Sequence, residues 1–119
     1  MSQRNDTGFL TMTAGAALGI HIGVKLDASN AKQVVAVGAG EAPIGYTRTA
    51  VASGELVQIK LHKGSVGTLT GIADAAIAIN TALYSAASGE ISTSALGTSI
   101  GTSLEAAAAA GDWVEFLTA

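Results

Sequence analysis

In Gly19-Ile20-His21-Ile22-Gly23-Val24-Lys25-Leu26, large apolar side chains stand at every second position. A period of two puts one face of an extended strand on a core and the other in water. The alternation returns over residues 55–62, where Val57, Ile59 and Leu61 are expected to point inward. Between such runs lie turn-forming stretches: residues 27–30, rich in Asp and Asn, the loop 38–43 with two glycines and the lone proline, and Ala52-Ser53-Gly54. Asp and Asn side chains bond their own backbone and glycine takes a positive φ, so these stretches turn the chain. Further strands are expected over 32–37, 44–51, 66–72, 82–85, 90–94, 99–106 and 112–118. Strands at this spacing predict a mainly β fold. The expected form is a small antiparallel β-barrel or sandwich of glycine-turn hairpins with at most one or two short helices.

One hairpin is written twice. Ile44-Gly45 leads to Gly54-Glu55-Leu56-Val57-Gln58-Ile59, and Ile100-Gly101 leads to Gly111-Asp112-Trp113-Val114-Glu115-Phe116. Each reads as strand, small-residue turn, glycine with an acid, and an alternating strand. Ser88-Gly89-Glu90-Ile91-Ser92 is a shorter echo. Two windows carry helix signals instead. Residues 104–110, Leu-Glu and five alanines between Ser103 and Gly111, combine high propensity with a cap and a stop, but span only about two turns, which is marginal without packing. In 72–87, Ile72, Ala76, Ile79 and Leu83 share a helical face, yet Asn80-Thr81 and the isoleucines favour loop and strand.

Composition limits the core. Of the 119 residues 24 are alanine and 15 glycine, and only five are aromatic. Such small side chains bury little area each, so contacts between copies are expected to help stabilise the fold. Residues 1–15 are expected to form an N-terminal arm, and 16–119 a single β-rich domain. Phe9, Leu10 and Met12 precede the first clear strand and would lay apolar surface on a neighbour. Trp113 and Phe116, on the last strand, are candidates for core packing or for an interface anchor.

The charge is uneven. Residues 1–63 hold all six cations and sum to +2, whereas 64–119 hold five acids, no cation and sum to −5. These sums describe either two poles that steer a partner or charges that mix and cancel on the folded surface. No basic cluster interleaves with aromatics, which argues against nucleic acid. No run of 18 apolar residues exists, which argues against a membrane-spanning helix. The first residues lack the apolar stretch of a signal peptide, so the mature protein is expected to begin near Met1.

Residues for chemistry are few. Cysteine is absent, which removes thiolate metal sites and a cysteine nucleophile. His21 and His62 have no metal-ligand spacing around them and read as exposed strand residues. None of the 22 serines and threonines stands in a G-x-S-x-G elbow. The stretch Gly38-Ala39-Gly40-Glu41 lacks the Lys-Ser/Thr ending of a phosphate loop, and Glu41 would repel a phosphate. Glu55, Glu90 and Asp112 read as solvated turn acids. No enzyme, no cofactor and no metal are expected.

Residues 82–92 (ALYSAASGEIS), residues 100–106 (IGTSLEA) and the closing Gly111-Asp112-Trp113-Val114-Glu115-Phe116-Leu117 resemble the capsid cement, or head decoration, proteins of tailed bacteriophages. Tyr84 stands at that family's tyrosine, Gly89 at its turn, and Ile44-Gly45-Tyr46 and Gly54 to Val57 also fit. The likeness covers roughly residues 20–117, while Asn80-Thr81 departs from the family's usual glycine. It implies a β-rich, non-catalytic protein on the outer surface of a virion capsid, assembled in the host cytoplasm. It further implies trimers at local three-fold positions on the major capsid protein, reinforcing the shell against DNA pressure. The competing expectation from the residues is a β-rich carbohydrate- or surface-binding module of a phage tail or cell surface. Such a module usually displays a platform of aromatics, and this chain has few.

Overall fold

The computed structural model describes residues 9–62 and 68–118. The chain is mainly β, with ten strands and a single 3₁₀ turn (Ala87–Gly89) among the described residues. Strands β1 (Phe9–Ala14), β2 (Gly23–Leu26), β3 (Gln33–Ala36), β4 (Gly45–Thr47) and β5 (Leu56–Leu61) close into a barrel in the order β1-β3-β2-β4-β5. Strands β6 (Leu69–Ile72), β7 (Ala82–Ser85), β8 (Ile91–Ser92), β9 (Gly101–Ser103) and β10 (Trp113–Thr118) form a second sheet in the order β6-β10-β9-β7-β8. Setting β1 against β6, β2 against β7 and so on makes the two cyclic orders the same. The difference lies at one seam. Where β1 and β3 pair in parallel through Thr13–Gln33 and Ala14–Val34, β6 and β8 meet only at the Ala73–Ile91 bridge.

The hydrogen bonds repeat as the strands do. The Thr47 hydroxyl donates to Gly19 O (2.7 Å) and accepts from Ile22 N (2.9 Å). The Ser103 hydroxyl donates to Ala78 O (2.7 Å) and accepts from Thr81 N (3.0 Å) in the second unit. Leu18 and Val51 exchange backbone bonds, as do Ile77 and Ala107. Gly54 and Gly111 both take positive φ, 87° and 90°, in open space. The acid after each closes its turn: the Glu55 carboxylate accepts from Ala52 N, and that of Asp112 from Ala108 N and Ala109 N. The twice-written hairpin is therefore one part of a duplicated five-stranded unit. Glu55 and Asp112 are structural turn acids, not merely solvated ones.

Inside the first barrel, Met12, Ala14, Leu18, Val24, Val34, Val57 and Ile59 form one buried cluster. The second unit has its own, with Leu69, Ile77, Leu83, Ile91, Val114 and Phe116. Tyr46 belongs to this second cluster although it lies on β4 of the first barrel. All three β4 residues are buried, so both faces of that strand are covered. The Tyr46 ring lies against Gly23, where a Cβ would sit 3.2 Å from the ring and 3.4 Å from Gly89 O, just before β8. A Cβ at 23 would push the Tyr46 ring back by a few tenths of an ångström. Three polar contacts also cross between the units: Gly40 N to Ser85 O (3.0 Å), Gly89 N to Val37 O (2.8 Å), and His62 Nε2 to Ile100 O (2.7 Å).

Several expectations are corrected. Phe9–Ala14 is no arm: β1 pairs with β5 from Phe9–Lys60 to Thr13–Leu56, and Met12 and Ala14 are buried. Residues 1–8 of the expected arm lie outside the described residues. The barrel is not wholly antiparallel, since β1 and β3 run in parallel. Residues 104–110 form no helix; Ala107 is held by the Ile77 bridge, and short alanines gain little from a packed helical face here. Within 72–87 the chain runs as strand, loop and strand. The glycine-rich loop 38–43 closes on its own acid, whose carboxylate accepts from Gly38 N and pairs with Lys25 at 2.6 Å. That pairing holds the Glu41 carboxyl below its ordinary value.

Candidate functional site

Where the two units meet, a cleft of about 260 Å³ opens beside β4, β5 and the start of β6. Arg48 and Lys60 supply positive charge, His21 an imidazole, and Thr68 and Thr70 hydroxyls. Arg48 follows β4 directly, and Lys60 stands opposite Tyr46 on β5. The Arg48 guanidinium lies over the Phe9 ring, 4.8 Å from its centroid, and the Lys60 ammonium at 5.9 Å. A ring face attracts cations, so Phe9 holds both heads on this side of the barrel. Lys60 Nζ also donates to Thr68 O (2.6 Å), which ties β5 to the strand entering the second unit.

His21 sits in a turn with φ of 57°, a left-handed region uncommon outside glycine but enriched in Asn, Asp and His. Asn80 occupies the matching turn of the second unit with φ of 54°. The His21 ring meets Trp113 edge-on, with centroids 4.5 Å apart and planes at 81°. Burial pushes the His21 imidazole below its ordinary value, and the Arg48 charge lowers it further. The ring is thus held neutral while Arg48 keeps the positive charge of the cleft. His21 is neither in a strand nor fully exposed, and His62 is buried with its Nε2 on Ile100 O. Both differ from the sequence expectation because turn position and cross-unit contact lie outside what alternation reports.

The five expected interface residues scatter. Trp113 is 56% exposed at the head of β10, beside the cleft. Phe9 is half-buried under Arg48, and Leu10 packs against the first core. Met12 and Phe116 are buried, at 6% and 0%, and offer a partner nothing. The signal for Phe116 was available: in Trp113-Val114-Glu115-Phe116 it shares the inward face with Val114. Arg48 and Lys60 were passed over because residues 12 positions apart in sequence carry no local motif. Among the described residues, no group of three or more His, Cys, Asp or Glu side chains is placed to hold a metal.

Among the described residues the first barrel carries Lys25, Lys32, Arg48 and Lys60 against Asp27, Glu41 and Glu55, while the second carries Asp74, Glu90, Glu105, Asp112 and Glu115 and no cation.

The sequence profile of the phage cement proteins matches residues 20–118. The chain belongs to the phage cement protein family. This cement protein also shares its fold with the N base of the head fiber gp8.5 of bacteriophage phi29. The TM-score is 0.80 at 16% identity, over 93% of this chain and 92% of that one. No curated protein matches this chain in sequence.

Proposed function

We propose that this chain is a structural decoration protein of a tailed-phage head, without catalytic activity. It docks on the outer surface of the capsid, against the major capsid protein, as a homotrimer at local three-fold positions. There it stiffens the shell against the pressure of packaged DNA. The observation that carries this reading is membership of the phage cement family over nearly the whole chain. The likeness to a head fiber base supports it at the level of fold.

The architecture suits the task. Two five-stranded units share Tyr46 in one core and exchange polar contacts, so a load on one unit passes to the other without a hinge. Several copies gripping adjacent sites convert weak single contacts into firm attachment. Trp113, exposed and held by His21, is the apolar anchor best placed for a docking surface. Exposure of Trp113 beside the cationic cleft also favours a second reading, a module that binds a surface carbohydrate.

The test is a pull-down on purified capsids that lack this protein, followed by imaging with and without it. Added density on the outer surface, as three touching copies around each local three-fold position, is expected. Absence of binding overturns the capsid reading, and isolated copies without mutual contact overturn the trimer.

A further inference from the structure

Arg48, Lys60, His21 and Thr70 bring hydrogen-bond donors to one cleft and leave them unspent. Among the described residues the single ion pair is Lys25–Glu41, so no carboxylate stands within 4 Å of Arg48 or Lys60. The Arg48 guanidinium touches the Phe9 face and donates to no acceptor. Lys60 uses one of its three donors on Thr68 O, and among the described residues the Thr70 hydroxyl has no partner. The acid nearest the cleft, Glu115, is engaged by the Thr68 hydroxyl. A planar guanidinium beside an ammonium and a hydroxyl matches the geometry of a carboxylate, which accepts two parallel bonds.

The chain itself carries a matching group elsewhere. Asp74 follows β6 and Glu90 precedes β8, and Asp74 N donates to Ile91 O (2.9 Å), so both acids flank the open seam of the second unit. Among the described residues neither carboxylate has a hydrogen-bond or ionic partner, in contrast to Glu55, Asp112 and Glu115. Asp74 lies four residues past Thr70, about 13 Å along an extended strand, and among the described residues neither it nor Glu90 pairs with Arg48 or Lys60 of the same copy. A receptor on one copy filled by a different patch of the next makes a head-to-tail contact, which closes into a ring when the rotation allows.

We infer that the Arg48–Lys60 cleft is a carboxylate receptor filled by Asp74 and Glu90 of a second copy of this chain. This deepens the self-association in the proposed function and rests on it. The contact is oriented by charge and screened by salt, with a Debye length of about 8 Å in physiological buffer. Trp113, at the rim beside His21, packs against the incoming seam.

The experiment compares sedimentation and light scattering of the full-length wild type with two charge-reversed proteins, R48E/K60E and D74K/E90K, at low and high salt. Each reversed protein is expected to associate about tenfold more weakly or worse, from loss of a charge-assisted bond and gain of repulsion. An equimolar mixture of the two is expected to recover pairwise association between unlike copies, because one contact is the wild-type pair and the other a reversed pair, while a closed ring of three keeps one like-charged contact. Matching thermal melts exclude unfolding as the cause; R48Q/K60Q replaces R48E/K60E, and D74N/E90Q replaces D74K/E90K, where the reversed protein fails to fold. Titration of wild type with sodium acetate and, separately, sodium phosphate, followed by amide NMR at Arg48 and Thr70, separates carboxylate recognition from general anion binding. Unchanged association in both reversed proteins, or no recovery on mixing, overturns the inference. Shifts with phosphate but not acetate overturn the carboxylate assignment. Wild-type binding to capsids, measured in parallel, reports on the capsid reading independently of these outcomes.

Discussion

The ring of Tyr46, from the first barrel, meets the ring of Phe116, in the core of the second unit, edge-on, with centroids 5.4 Å apart and planes at 74°. The contact fuses two copies of one five-stranded unit, and the units do not meet as a symmetric pair. The second is open where β6 and β8 barely touch, and a side chain of the first completes its core. Tyr46 is 2% exposed and its hydroxyl has no hydrogen-bond partner. Burial pushes that phenol far above its ordinary value, so it remains protonated.

Tyr46 should therefore separate volume from polarity. Tyr46→Ala removes the ring from a closed core and should destabilise by about 3–5 kcal/mol, as for other buried aromatics. Tyr46→Phe removes only an unsatisfied hydroxyl and should change stability by less than about 1 kcal/mol. Urea unfolding of the three proteins checks both. Equal losses would mean that the hydroxyl, not the ring, secures the junction.

Deletion of residues 1–14 removes β1, on which the first barrel closes through both β5 and β3. The truncated chain should lose the protection of β3 and β5 amides in hydrogen exchange. Met12→Ala, milder, should cost about 2–5 kcal/mol. A truncated chain with wild-type protection in β5 would contradict the closed barrel.

Acid should weaken the fold in two stages. The folded His21 holds its proton less tightly than the ordinary histidine value of 6.5, through burial and then Arg48. The unfolded chain binds the proton first, so stability falls as pH drops through 6.5 toward the lower folded value. Asp27, bonded by Ser29 N, and Glu41, bonded by Lys25, lie below their ordinary 3.8 and 4.5. Their contribution is present above those values and is lost as pH falls through the folded ones. His21→Asn, which tolerates the positive φ as Asn80 does, should keep the fold and remove the first stage. Melting temperatures between pH 7 and pH 3 for both proteins provide the check.

Trp113 is the sole tryptophan, so its fluorescence reports one place. Exposed at 56%, it should emit as a hydrated indole in the free protein and shift to shorter wavelength on docking to capsids. Trp113→Ala should leave thermal stability within about 1 kcal/mol, losing mainly the edge contact with His21. It should also weaken capsid binding at least several-fold. Unaltered emission on bound capsids would remove Trp113 from the docking surface.

Residues 9–14 show how far a local pattern reaches. Leu10, Met12 and Ala14 stand at every second position and line the first barrel's interior side, a strand signal muted by the small alanine and by flanking threonines. The alternation of Val57 with Ile59 and of Val114 with Phe116, the Gly54-Glu55 and Gly111-Asp112 turns, and the uneven charge were all readable directly. These are local properties: side-chain direction follows from period two, and turn geometry from glycine φ and a carboxylate three residues from its donor.

By itself the sequence determined most of the strands, the glycine turns and the repeated hairpin. Only the tertiary structure decided that the hairpin belongs to a doubled barrel, that Tyr46 crosses into the other unit, and that Arg48 and Lys60 share a cleft with His21. Alternation says which way a side chain faces along its own strand, but not which of two cores lies there. Strand pairing brings together residues far apart in the chain, and no local pattern encodes that choice. Tyr46 and Trp113 are each a large aromatic beside a strand glycine or turn, yet one is buried and the other exposed. Trp113 shares the outward face of β10 with Glu115, whereas the core of the second unit covers Tyr46.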